Sequence, residues 1–250
     1  MYAKVMNAHE AELMRKSGQI LAQVFQEIKD FIEPGVTGRD VSDLVRRETK
    51  ALGGKTVLLG FEGFPDVICI SINDAVVHSI PNDIPFKKGD VVGFDYCVGY
   101  EGFITDSAFT TSIGDEPLPE VKKLLETTEK SLYAGIAAVK DGAHVGDISA
   151  AVQAVLDTGG YGIVRDLGGH GVGHYVHEDP FIANYGIAGT GDILKEGMTI
   201  AVEPMATLGG YKVFLDRDQW TFRTKDGSLA CQFEHTVLVT KNGAEILTKA

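Results

Sequence analysis

Cysteine is scarce in this chain. Its three copies, Cys69, Cys97 and Cys231, are odd in number and far apart, and no two form a Cys-x-x-Cys pair. That argues against a zinc ribbon or a disulfide framework, and a reducing, cytoplasmic location is expected. Long apolar runs are missing too. The opening MYAKVMNAHEAELMRK has no apolar core of export-signal length, and no later segment is apolar for long enough to span a bilayer, so no membrane association is expected. Positive charge is in deficit: 23 Lys and Arg against 35 Asp and Glu give a formal charge of -12. Such a balance argues against a broad nucleic-acid-binding face.

What is present is an ordinary globular balance, 44% hydrophobic and 23% charged over 250 residues, enough to bury a sizeable core. Residues 9–31 predict an amphipathic helix, with Leu13, Ile20, Leu21, Val24, Ile28 and Phe31 at helical spacing and Pro34-Gly35 ending it. A second helix is predicted from about Gly38 to Ala51, with Val41, Leu44 and Val45 on one face. Val67–Ile72, Asp90–Tyr96 and Gly102–Thr111 read as strands, each bounded by Gly, Pro or Asn-Asp.

The chain then repeats itself. Pro34-Gly35-Val36-Thr37-Gly38-Arg39-Asp40-Val41-Ser42 matches Asp141-Gly142-Ala143-His144-Val145-Gly146-Asp147-Ile148-Ser149 at an offset of 107. Lys87-Lys88-Gly89-Asp90-Val91-Val92-Gly93-Phe94-Asp95 matches Lys195-Glu196-Gly197-Met198-Thr199-Ile200-Ala201-Val202-Glu203 at 108. The spacing His78-x-x-Pro81 recurs as His177-x-x-Pro180. Chance similarity between helix starts and strands is the alternative, and the shared order and offset weigh against it. A single domain over 1–250 is expected, built of two related α+β halves at about 8–114 and 119–250. Only the joining stretch near Gly114–Pro119 looks loop-like.

The repeat puts Asp95 and Glu203 at equivalent strand ends. One acid closing a strand is more often a surface cap, and alone it is costly to bury. Two at matching positions suggest a common point between the halves. Asp106 follows Asp95 by eleven residues, and a hairpin through Gly99–Gly102 would set the two carboxylates side by side. Glu234, in the apolar strand Ala230–Val239, would do the same for Glu203. Gly168-Gly169-His170-Gly171-Val172-Gly173-His174 adds an imidazole with glycines on either side, and His177 lies seven residues on. Four converging carboxylates repel one another unless cations sit among them, and the set suits two divalent ions.

These residues resemble the methionine aminopeptidases of the short bacterial type. The resemblance covers nearly the whole chain and rests on Ser71-Ile72-Asn73-Asp74 leading to His78-Ser79-Ile80-Pro81, Gly169-His170-Gly171-Val172-Gly173, Val202-Glu203-Pro204 and Gln232-Phe233-Glu234-His235-Thr236. It implies the α+β pita-bread (creatinase/aminopeptidase) fold, two pseudo-symmetric halves with an antiparallel sheet flanked by helices. It implies two divalent ions (Co, Mn, Fe, Zn or Ni), with Asp95 on one, His170 and Glu203 on the other, and Asp106 and Glu234 bridging. The nucleophile would be a water between them, Glu203 its proton carrier, His177 an oxyanion donor and His78 a partner of the scissile peptide. Substrates would be N-terminal methionine peptides of nascent proteins with a small second residue. Transient ribosome contact is expected of such an enzyme, though this acidic chain offers no obvious basic dock. A monomer is expected.

By the same resemblance the methionine pocket maps to Phe61, Phe64, Cys69, Val176 and Trp220, with His78 and His177 also touching substrate. The match is looser here, because these residues could equally be core packing, and Val176 stands where a larger aromatic often sits. Two rivals share the pattern: an aminopeptidase P or prolidase, and a non-catalytic binding module. All five ligand positions and both accessory histidines are intact, which favours chemistry over binding alone. Since Val176 leaves room, Val176→Phe is expected to narrow selectivity across Met, Leu and Phe substrates; unchanged ratios of kcat/KM would contradict an enlarged pocket.

Overall fold

The computed structural model describes residues 4–114 and 116–249. Residues 1–3, the ends of the expected 1–250 domain and one position of the joining stretch therefore lie outside the described residues. Four α-helices are found among them: α1 (Ala8–Phe31), α2 (Gly38–Ala51), α3 (Pro119–Ala137) and α4 (Val145–Gly159). The side chain of Asn7 accepts from the backbone of His9 and Glu10, while Glu10 reaches back to the Asn7 N–H, so three N–H groups at the start of α1 are satisfied. Thr37 and Asp40 do the same for α2, and Pro119 stands at the first turn of α3.

The inward face of α1 differs in part from its periodicity. Phe31 is exposed in the last turn and Leu13 is only half-buried, while Met14, Ser17 and Gly18 face inward. The start of α1 packs in its own small cluster with Met6, Phe103, Leu238 and Leu247; Ile20 to Ile28 enter the main core. One helix thus serves two apolar clusters, and a single stripe does not describe it.

A nine-stranded sheet forms the frame, with all its pairs antiparallel. Its central path runs Lys55–Thr56, Val91–Tyr100, Phe103–Ser112, Glu234–Thr240, Thr199–Val202, Gly168–Gly171 and Glu178–Ala183. Cys69–Ile72 adds to Val91–Tyr100, and Gly243–Ile246 to Glu234–Thr240. The first strand of the hairpin runs on past its expected end at Tyr96 to Tyr100, because the turn is only Glu101-Gly102, and the second is shifted by one residue to Phe103–Ser112. Both turn residues have positive φ (50° and 89°), the twist that suits a two-residue hairpin.

Hydrogen bonds recur at the spacing of the sequence repeat. Asp40 holds the Thr37 N–H and Asp147 the His144 N–H, each at 2.8 Å. The Gly35 N–H donates to Phe86 O and the Gly142 N–H to Leu194 O; the Gly89 N–H donates to Ile113 O and the Gly197 N–H to Val239 O. One buried cluster joins both segments, from Ile20, Val41 and Val92 to Leu124, Ile148, Ile200 and Val237. Helix α1 approaches the chain's last strand closely at Gly18, where a Cβ would collide with the Leu247 carbonyl. Backbone cannot yield as a side-chain tip can. Gly18→Ala is therefore expected to cost about 2 kcal/mol, read from urea unfolding midpoints at unchanged m-value; an unshifted midpoint would show that this packing is looser.

Candidate metal centre

Strand register alone brings the five expected ligands together. Asp95 pairs with Ala108, and Ala108 with Glu234. The pairs His235–Val202 and Met205–Gln232 bracket Glu234 and Glu203, which face each other in the gap between two ladders. Asp95, Glu234 and Glu203 therefore share one row across the sheet. Two residues further along each strand, Cys97 pairs with Asp106, and Thr236 with Ala201, which pairs with His170. Asp106 and Thr236 are tied by two hydrogen bonds of 2.9 and 2.7 Å. A step of two keeps side chains on the same face, so Asp106 and His170 stand beside the first row.

Two expectations are corrected in detail. Asp95 and Asp106 are diagonal neighbours, since the short Glu101-Gly102 turn sets Asp95 against Ala108. The expected single strand Ala230–Val239 is two, Ala230–Gln232 and Glu234–Thr240. Pro204, which has no N–H to give, follows Glu203 directly, and the partner ladder breaks opposite it. That break is where both glutamates sit. On the neighbouring strand Gly169 is needed for a plain reason: a Cβ there would strike the Ala201 carbonyl.

The electrostatics of this cluster are set by burial and by the mutual repulsion of its acids. The His170 Nε2 lies 3.5 Å from Glu203 Oε1 and 4.0 Å from Asp106 Oδ2. Its Nδ1 is 2.9 Å from the Gly171 carbonyl, which can only accept, so Nδ1 carries the proton and Nε2 turns a lone pair toward two carboxylates. Burial, with His177 nearby, pushes His170 down to about 3, so it stays neutral. Burial first, then Asp106, pushes Glu203 up to about 8, against a hydrogen bond from Gln232 at 3.2 Å. Asp95 and Glu234 are driven well above the carboxylate range by burial and by their acidic neighbours. Asp106 Oδ1 and Glu234 Oε1 are buried with no hydrogen-bond partner.

Ligand atoms of Asp106, His170 and Glu234 all lie within 4.8 Å of one another. Orphaned carboxylate oxygens facing a neutral imidazole lone pair are what a divalent cation satisfies, so these residues fit a metal.

The cluster forms the polar end of a cavity of about 270 Å³. Phe61, Phe64, Cys69, Val176, Trp220, His78 and His177 all line it with the five ligands, so every expected site residue is brought to one place. Its apolar wall is a cluster separate from the main core, built on Leu58, Phe64, Cys69, Cys97 and Val176. The Trp220 ring meets Phe64 edge-on at 5.2 Å; His177, exposed, meets His170 edge-on at 4.5 Å and Phe61 at 5.6 Å. Burial, then His177, pushes His78 down to about 4.

Comparison with known proteins gives the same reading. Residues 12–241 match metallopeptidase family M24. The methionine aminopeptidase of Mycoplasma capricolum is 40% identical over 98% of each chain, and that of Aquifex aeolicus 40% over the full length of both. The chain belongs to family M24. Among solved structures, the methionine aminopeptidase of Thermotoga maritima superposes with a TM-score of 0.97 at 40% identity, covering 99% of this chain and 100% of that one. A prolidase from Pyrococcus furiosus, at 24% identity and a TM-score of 0.78 over 98% of this chain and 65% of that one, shares the pita-bread fold and supports no more than that.

Several residues of this M24 site escaped the sequence reading. Cys97 faces the cavity opposite Asp106, and Gln232 holds Glu203; each lies two positions from a ligand on the same face, so period-2 alternation would have found both. Leu58, Glu62, Leu215, Gln219 and Phe222 also line the cavity and carry no such signal. Among the described residues, three of the five non-glycine residues with positive φ, Glu62, His78 and Gln219, are in this lining, so strain is concentrated at the site.

The raised carboxylates fix the sign of a pH effect. The metal-free fold keeps protons that the unfolded chain releases above its ordinary carboxylate pKa. His170, His78 and His235, all pushed down by burial, act with the opposite sign below about 6.5, so the decline in stability is expected as pH rises from about 6.5 toward about 8. Divalent ions compete with those protons. Thermal unfolding of metal-stripped protein should show this decline, and saturating Mn should abolish it; a flat metal-free profile would contradict the site's electrostatics.

Proposed function

We propose that this M24 metallopeptidase removes N-terminal methionine from peptides and nascent proteins with a small second residue. In this reading it is a single catalytic domain whose related halves, about 8–114 and 119–250, contribute matched acids, Asp95 and Glu203, to one centre. The observation that carries the proposal is a cavity with an apolar wall that is also lined by buried carboxylates, two of which have an oxygen without a hydrogen-bond partner. A linear thioether side chain fits a wall of Leu58, Phe64, Cys69, Cys97 and Val176, and such a side chain would place its own amine and carbonyl at the acidic rows.

Asp95, Asp106, His170, Glu203 and Glu234 would hold two divalent cations. When bound, these supply Lewis acidity that makes water a nucleophile near neutral pH. The rest of the chemistry falls to the chain. Glu203, anchored by Gln232 on one oxygen, is the group to take the water's proton and pass it to the leaving amine. His177, standing over His170, would donate to the oxyanion, and His78, held at φ 59°, to the peptide beside the scissile bond. A free α-amine near the acids would be required, which restricts cleavage to chain ends.

Release of methionine from Met-Ala-Ser by apo-protein resupplied with Mn, Fe, Co, Zn or Ni tests this. Metal-dependent release is expected, with Glu203→Gln lowering kcat by about 10²-fold or more while metal remains bound. No methionine with any of the five ions would overturn it.

A further inference from the structure

Two of the residues lining the cavity, Val176 and His177, stand on the connection between the strands Gly168–Gly171 and Glu178–Ala183. A six-residue connection carrying both a pocket wall and a polar group needs something to hold its shape. Glu178, the residue that begins the return strand, supplies it. Its carboxylate turns back into the connection, where one oxygen, Oε1, accepts from the His174 N–H at 2.8 Å and the Tyr175 N–H at 2.9 Å.

Glu178 is only 6% exposed, and its other oxygen, Oε2, is buried with no hydrogen-bond partner. Half of the carboxylate is therefore left unsatisfied, which is costly unless the two bonds at the other oxygen are needed.

The start of the same connection is fixed from elsewhere in the chain. The Ile104 N–H donates to the Gly173 carbonyl at 2.6 Å, the Met6 methyl packs on Gly173, and the Phe103 ring lies 4.9 Å from that of His174. With that end held and the middle gathered onto Glu178, the residues between Tyr175 and the strand have little freedom. Those residues are Val176, buried against Leu58 and Phe64, and His177, beside His170.

We propose that Glu178 is a positioning residue, a carboxylate clamp that sets Val176 against the side-chain pocket and His177 at the reacting end. The proposal rests on the methionine-releasing reading for its kinetic consequence, and on the two backbone hydrogen bonds for its geometry. What the clamp needs is an acceptor at the right reach, not a charge. Glutamine offers a carbonyl at the same reach; aspartate keeps the charge but is one methylene short.

The test compares Glu178→Gln, Glu178→Asp and Glu178→Ala. Wild type and Gln are expected to lie within about threefold of each other, and Asp and Ala to lose at least about tenfold in kcat/KM for Met-Ala-Ser. His177 displacement should appear in kcat, and Val176 displacement as a fall in the Met-over-Leu ratio. Amide hydrogen exchange at His174 and Tyr175 should speed up about tenfold or more in Asp and Ala but not in Gln. Asp outperforming Gln, or exchange at these two amides unchanged in Ala, would overturn the clamp. A wild-type protein that releases no methionine overturns the functional reading instead, and the exchange rates then still decide the clamp.

Discussion

Like charges about 4 Å apart repel by roughly 4 kcal/mol at the effective dielectric of a protein site, and a whole domain is stable by only about 5–15 kcal/mol. Asp95, Asp106, Glu203 and Glu234 stand on one face of one sheet and within reach of one another, so the fold cannot keep all four ionised without counterions. Protons or metal cations must be supplied, and the neutral His170, its lone pair turned inward by the Gly171 carbonyl, suits metal. Much of the local architecture follows from this constraint. The sheet register aligns the acids in two rows, the break at Pro204 opens space opposite Phe233, and Gly169 lets the histidine strand lie close against Ala201.

The apolar half of the cavity is arranged differently. Its wall does not belong to the main core but to a separate cluster, and its members come from a loop, from strand positions and from the connection at Val176. Rigidity is unequal as a result. The acids and His170 ride on paired strands or, for Glu203, at a strand end, while the apolar lining rides on segments held by individual contacts: the Phe64–Trp220 edge, the strained backbone at Glu62 and Gln219, and the Glu178 carboxylate.

The sequence was most legible where a physical period repeats. Helix α2 matches its expected limits, and α1 differs by one residue at its start. The 107-residue repeat reappears in paired hydrogen bonds, and Asp95 and Glu203 could be singled out because the repeat compares one segment with the other. Legibility ended where a long-range contact decides. Phe31 fits the helical stripe but is exposed at the end of α1, and Ala230–Val239 looks continuous until Pro204 on the facing segment is known. Leu58, Leu215 and Phe222 reach the cavity through tertiary placement that no local pattern encodes. Glu178 is not legible in the sequence, because a side chain that bonds backbone leaves no mark in composition or spacing.

In the proposed function the two rows of acids with His170 would hold two divalent cations. Anomalous diffraction at the manganese edge, from crystals grown with Mn, measures this directly. Two peaks among Asp95, Asp106, His170, Glu203 and Glu234 are the expected result. Absence of any peak among these side chains, or a peak held by residues elsewhere, would contradict it.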